Sequence, residues 1–183
     1  HELISADFSA IEARVVAWLA KQEDILNVFH RGEDVYVYAA SRIGSGNRQL
    51  GKVSTLGLGY GMGASKFALT AKGYGVDLTE EEAEEVKKTW RRSNSKIVRF
   101  WRTLENAAIE AVSKPGAMVP AGEHIIFRKA GSFLWCRLPS GRSLCYPYPR
   151  VVEKPVPWGG TKAAIMFKGV DTYTKKWGDQ STY

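Results

Sequence analysis

Arg48-Gln-Leu-Gly-Lys52-Val-Ser-Thr-Leu56-Gly-Leu-Gly-Tyr60-Gly61 is the stretch whose reading decides the rest of the chain. Taken as a helix, it sets Arg48, Lys52, Leu56 and Tyr60 at every fourth position, and each such step advances only about 40° around the helix. One face then carries two cations, an aliphatic group and an aromatic ring. At about 1.5 Å per residue the stripe is roughly 18 Å long, enough to span a triphosphate, a sugar and a base laid along it. Arginine brings a planar fork and lysine a compact point charge, and both suit phosphate oxygens.

Three other readings compete for the same residues. Gly46-Asn-Arg-Gln-Leu-Gly51-Lys52 has the spacing of a phosphate-cradling loop up to its lysine. Val53 then lacks the hydroxyl that such a loop offers to Mg²⁺, and no apolar strand precedes Gly46. A working P-loop would also hydrolyse nucleotide without a template. Gly59-Tyr-Gly61-Met-Gly63-Ala64 touches on a dinucleotide fingerprint, but Val53 to Leu58 makes a poor strand and no compact βαβ unit surrounds it. The plainest reading is a helix whose Arg and Lys are simply solvated.

The first residues shift this balance. Leu3-Ile-Ser-Ala-Asp7-Phe8-Ser9-Ala10-Ile11-Glu12-Ala13-Arg14 reads as an apolar strand ending in an acid, then a turn into a helix. Asp7-Phe-Ser-x-Ile-Glu12-x-Arg14, followed some forty positions on by Arg48-x-x-x-Lys52-x-x-x-Leu56-Gly57-x-x-Tyr60-Gly61, resembles the first two polymerase motifs of family A DNA polymerases. The resemblance is to the bacterial DNA polymerase I type, and the diction is nearest to bacteriophage members. It implies an α+β, mostly helical fold of fingers helices, part of an antiparallel β palm and extra β-hairpins. Residues 1–22 would open the palm, 23–114 would form the fingers, and 115–183 would return to the palm through lineage-specific hairpins.

The same resemblance implies roles for individual residues. Asp7 would be a palm carboxylate for Mg²⁺ in a two-metal site, with the Phe8 carbonyl as a further oxygen ligand. Arg48 would hold the outer phosphates of a deoxynucleoside triphosphate, while Lys52 would lie nearer the reacting centre and could protonate the departing pyrophosphate. Tyr60 and Gly61 would sit by the template base of a DNA primer-template. Glu12 would block a ribose 2′-hydroxyl and bond the Tyr60 hydroxyl, which ranks DNA synthesis above RNA synthesis. Leu56 departs from the family, where Phe or Tyr is frequent at the position beside the incoming sugar.

Composition fits a polyanionic partner. Among 183 residues, 26 Lys and Arg stand against 19 Asp and Glu, giving a net charge of +7. A non-catalytic basic module that binds nucleic acid through its surface is therefore the competing class. No apolar run approaches the roughly 20 residues a bilayer needs, and the expected setting is the cytoplasm of a bacterium or an infected host. The chain starts at His1 without Met and stops at Tyr183 before any His-Asp-Glu context appears. It is expected to be a piece of a longer polymerase, short of the second metal carboxylate and inactive alone.

Helices are expected over Ile11–Ala20, Glu23–His30, Asp34–Ile43, Ala64–Ala71 and Lys96–Val112, with Ile11, Val15, Val16 and Leu19 buried in the first. Thr79 and Glu82 spell a capping box that opens another long helix. Asp24 and Asp34 stand where carboxylates favour free helix amides, and Phe29, Tyr36 and Tyr38 read as core. Gly57, Gly59, Gly61 and Gly63 suggest helix termination, a hinge, or close approach of a base pair or template strand. Strands are expected at Glu123–Lys129, Ser132–Leu138 and Arg142–Tyr148, with Arg142 a candidate duplex contact by resemblance. That hairpin would set Cys136 opposite Cys145; their spacing would allow a disulfide, but a cytosolic replication enzyme would keep them as thiols. Pro147, Pro149, Pro155 and Pro157 mark a linker, and Ala163–Phe167 with Val170–Trp177 one further hairpin.

Overall fold

Where the chain writes helical periodicity and caps, helices form. The computed structural model describes residues 3–156 and 159–181 and contains seven helices followed by two small antiparallel sheets, the α+β class expected. Two compact units divide the chain, His1–Arg99 and Phe100–Tyr183.

The first unit holds α1 (Ile11–Ala20), α2 (Glu23–His30), α3 (Val35–Arg42), α4 (Arg48–Gly59), α5 (Ala64–Gly73), α6 (Glu80–Ser93) and the start of α7 (Ser95–Ser113). Polar side chains fix three of the starts. Asp34 accepts from the amides of Tyr36 and Val37, Asn47 from Gln49 and Leu50, and Thr79 and Glu82 close their capping box reciprocally. Asp24 caps nothing; it accepts from the Gln22 amide at 2.6 Å and the Tyr38 hydroxyl at 2.9 Å, tying α2 to α3.

Two expectations fail near the start. Leu3 to Ala6 forms no strand, and Leu3 and Ile4 are 98% and 91% exposed. A strand is stabilised by a neighbouring ladder, and none of the described strands pairs with this segment. In α1 the buried positions are Ala13 and Ala17, whereas Ile11 and Val15 stay exposed. Small side chains let the backbone of α1 approach α2 and α4, against which it packs.

The closest approach in this unit is between α3 and α4, at Gly51. A Cβ there would stand 1.9 Å from the Tyr36 carbonyl oxygen and 2.8 Å from the Ala40 amide nitrogen, so only hydrogen fits. At its far end α4 stops in a left-handed residue, Gly61 at φ +78°. The Gly61 amide bonds the Leu58 carbonyl at 2.9 Å and the Met62 amide reaches the Gly57 carbonyl at 3.3 Å, the paired closure of a Schellman motif. Termination therefore accounts for Gly61, and Gly57 lies against Met62 and Phe67.

In the second unit β1 (Met118–Ala121), β2 (Ile125–Ala130), β3 (Phe133–Arg137) and β4 (Ser143–Pro147) form one antiparallel sheet in that order. β5 (Arg150–Pro155), β6 (Thr161–Val170) and β7 (Trp177–Ser181) form the other. Val119, Phe127, Leu134 and Cys136 are the buried face of the first sheet. The register sets Cys145 opposite Trp135 and Cys136 opposite Leu144. One residue of offset puts the two cysteines on opposite faces, so both are free thiols. The proline section is not a linker, because β5 pairs with β6 from Arg150 to Pro155; as an edge strand it tolerates the terminal proline. Pro157 lies outside the described residues. The last hairpin exists, but residues 171–176 form its turn, where Asp171 accepts from the amides of Tyr173 and Thr174.

Candidate functional site

Helix α4 sorts its residues cleanly. Leu50, Gly51, Val53, Ser54, Gly57 and Leu58 are buried. Arg48 and Tyr60 are exposed, and Lys52 and Leu56 between them are half-buried, so the stripe of cations, aliphatic group and ring lies on the opposite, solvent side. Tyr60 is 74% exposed at the helix C-cap.

Arg48 is held in place by α3. Its Nε donates to Asp34 Oδ2 at 2.7 Å while the other carboxylate oxygen caps α3, and its guanidinium carbon lies 5.4 Å from the centre of the Tyr36 ring. Burial alone would push the Asp34 carboxyl up. The bonds from Arg48, Tyr36 and Val37, with the Arg48 charge, outweigh it and hold the carboxyl below its usual range. Lys52 Nζ sits 5.8 Å from the centre of the Tyr74 ring, whose residue caps α5.

The first motif meets the start of this stripe in a cleft of about 310 Å³, lined among others by Ser9, Arg14, Asp34, Tyr36 and Arg48. Arg14 spans its wall, donating from Nε to the Ser9 carbonyl at 3.0 Å with its guanidinium 4.0 Å over the Phe29 ring. Ala10, at φ +50°, makes the left-handed turn that swings the chain from Asp7 and Phe8 into α1. Asp7 and Phe8 are exposed, the latter at 79%. Glu12 is exposed and electrostatically close to Tyr36, whose hydroxyl is pushed up by burial first and the Glu12 charge second. Among the described residues no hydrogen bond joins Glu12 to Tyr60.

Arg14 belongs to the first motif without a role assigned from sequence, and the sequence reading assigns neither Asp34 nor Tyr36 to this site. Tyr36, Phe29 and Tyr38 are half-buried rather than core, two of these rings facing guanidinium groups. The available signal was the position of Asp34 and Tyr36 at the start of a helix one short loop away from Arg48. Asp7 supplies a carboxylate and Phe8 a carbonyl, hard oxygens of the kind Mg²⁺ takes. Among the described residues no group of three or more His, Cys, Asp or Glu could hold a metal ion. The donors present therefore suit the ion but do not complete a site for it.

Comparison with known proteins bears on the family. Residues 1–115 match DNA polymerase family A. The chain is 40% identical to the DNA polymerase of Bacillus phage SP02, over 100% of this chain and 29% of that protein. It is 36% identical to DNA polymerase I of Aquifex aeolicus (strain VF5), over 55% of this chain and 19% of that one. To DNA polymerase I of Mycobacterium leprae (strain TN) it is 35% identical, over 45% and 9% respectively. The chain belongs to DNA polymerase family A. It spans less than a third of the length of these relatives. Among the described residues, no helix is long and apolar enough to cross a membrane.

Proposed function

We propose that this chain is the nucleotide-gripping segment of a template-directed DNA polymerase, which joins deoxynucleotides to a primer 3′-hydroxyl. The observation that carries the reading is the outward stripe of Arg48, Lys52, Leu56 and Tyr60 on a helix whose other face is buried. Family membership supports the class of reaction, and the outward stripe supports the reading of where the nucleotide is held.

In this reading Arg48 holds the outer phosphates, pre-oriented by Asp34 and Tyr36. Lys52 neutralises charge near the breaking bond and gives a proton to the departing pyrophosphate. Tyr60 and Gly61 border the template base, and Glu12 screens out a 2′-hydroxyl. Positioning and charge stabilisation do most of the work in phosphoryl transfer. Asp7 and the Phe8 carbonyl are the donors this chain offers to Mg²⁺, which, when bound with its full ligand set, neutralises phosphate charge. Residues 1–22 then open the palm, 23–114 make up the fingers and 115–183 lead back.

Extension by the full-length polymerase is expected to require Mg²⁺ and the nucleotide that matches the template, and to collapse in Asp7→Asn. A purely basic module would instead bind primer-template in a salt-dependent way, indifferent to the matching nucleotide. Binding without extension in the unaltered protein would favour that module.

Leu56 gives a finer expectation. An aliphatic side chain beside the sugar offers no phenolic bond or ring contact, so handling of the 3′ position should differ from that with an aromatic residue. Leu56→Tyr and Leu56→Phe are expected to change the ratio of dideoxynucleotide to deoxynucleotide incorporation. Equal ratios in all three proteins would remove Leu56 from the sugar contact.

A further inference from the structure

The exposed face of the β1–β4 sheet carries chemistry that the nucleotide site does not use. Antiparallel register lines up Met118, Arg128, Trp135 and Cys145 across the four strands, and cross-strand partners share a face. Two positions away along β3, in either direction, Phe133 and Arg137 stand on that face too. Trp135 and Phe133 are 39% and 38% exposed, with ring centres 5.7 Å apart. The sheet's hydrophobic requirement is already met by Val119, Phe127, Leu134 and Cys136 on the other side. Two large rings at the surface are therefore not needed for the core.

Charge decides what would cover them. The four strands contain Arg128, Lys129 and Arg137 and no Asp or Glu. Rings interleaved with guanidinium groups suit a single-stranded polyanion, because every base offers a π-face to stack and every linkage a phosphate to pair. A duplex keeps its base faces inside, so stacking here demands unpaired strand. A protein partner would meet the rings equally well but would have to answer two arginines with its own acids.

We propose that this face binds single-stranded nucleic acid, with bases stacked on Trp135 and Phe133 and flanking phosphates held by Arg128 and Arg137. The inference stands apart from the α4 reading, since it uses none of its residues.

The test is fluorescence anisotropy of a labelled twelve-nucleotide oligothymidylate titrated with the 183-residue chain, at several salt concentrations, with a duplex of equal length as competitor. Trp135→Ala is expected to weaken binding about tenfold or more, the scale of one lost base stack. Arg128→Gln should lower the salt slope by about one. Lys88→Gln, which removes the same charge from an exposed helix position, should leave affinity within about twofold of the unaltered chain. Circular dichroism confirms that each variant is folded, and Trp135→Phe, which keeps a stacking ring, should retain most of the affinity. Equal loss in Arg128→Gln and Lys88→Gln, unchanged binding in Trp135→Ala, or preference for the duplex would overturn the proposal. So would failure to bind the oligomer, including a chain that instead self-associates through Trp135 in sedimentation.

Discussion

Gly51→Ala is expected to lower the melting temperature of the 183-residue chain by roughly 10 °C, the consequence of a loss of about 3 kcal/mol. Two effects oppose each other at this position. Alanine is the better helix former by about 1 kcal/mol. Against this, the new methyl group would sit 1.9 Å from a backbone carbonyl and 2.8 Å from a backbone nitrogen of α3. Neither atom belongs to a flexible side chain that can swing away, so the two helices must separate and the packing around Leu50 and Val53 must open. Overpacking wins. Gly59→Ala is the internal control: nothing lies within 4 Å of its added Cβ, so the same substitution should be neutral or stabilising by up to about 1 kcal/mol. Equal melting temperatures for the Gly51 and Gly59 variants would show that α3 and α4 are not in the contact described.

Lys52→Ala is expected to slow nucleotide incorporation by the full-length polymerase by about 10²-fold, the usual cost of removing one donor aimed at developing charge. Lys52 is half-buried at the middle of the stripe, one turn from Arg48 and one turn from Leu56. Its ammonium has the Tyr74 ring near it and, among the described residues, no carboxylate ion pair, so its charge is available to a phosphate. Arg48 differs, because its Nε already donates to Asp34. The remaining guanidinium nitrogens can reach a phosphate while Asp34 keeps the group in position. Arg48→Ala should therefore raise KM more than it lowers kcat. A Lys52→Ala enzyme with unchanged single-turnover rate would take this lysine out of the chemistry.

Much of the helical half was legible because its signals are local. The Thr79–Glu82 capping box, the fourfold stripe from Arg48 to Tyr60 and the Gly61 terminus each declare themselves within a few residues. The two motifs were legible as words, and their order carried the family. What escaped reading depends on contacts distant in sequence. Asp34 looked like a cap and is one, but its second oxygen meets Arg48 fourteen residues on. In the sequence Gly51 carries only a phosphate-loop spacing, although it is the glycine that packing between α3 and α4 demands. Leu3 to Ala6 has the composition of a strand without a described partner. On the β side, Pro120 hid the short edge strand β1, and the prolines around β5 imitated a linker. The two cysteines were misplaced by a single step of register, which no local pattern fixes.

The central claim is that the outward face of α4 grips a deoxynucleoside triphosphate. Its most direct test is an amide chemical-shift titration of the 183-residue chain with a deoxynucleoside triphosphate, beside the same titration of Lys52→Ala. Shifts are expected to concentrate at Arg48, Lys52, Leu56 and Tyr60, with Asp34 and Tyr36 responding through Arg48, and binding should weaken markedly in the variant. Shifts scattered over the basic residues of both units, equal in the two proteins and erased by modest salt, would contradict it.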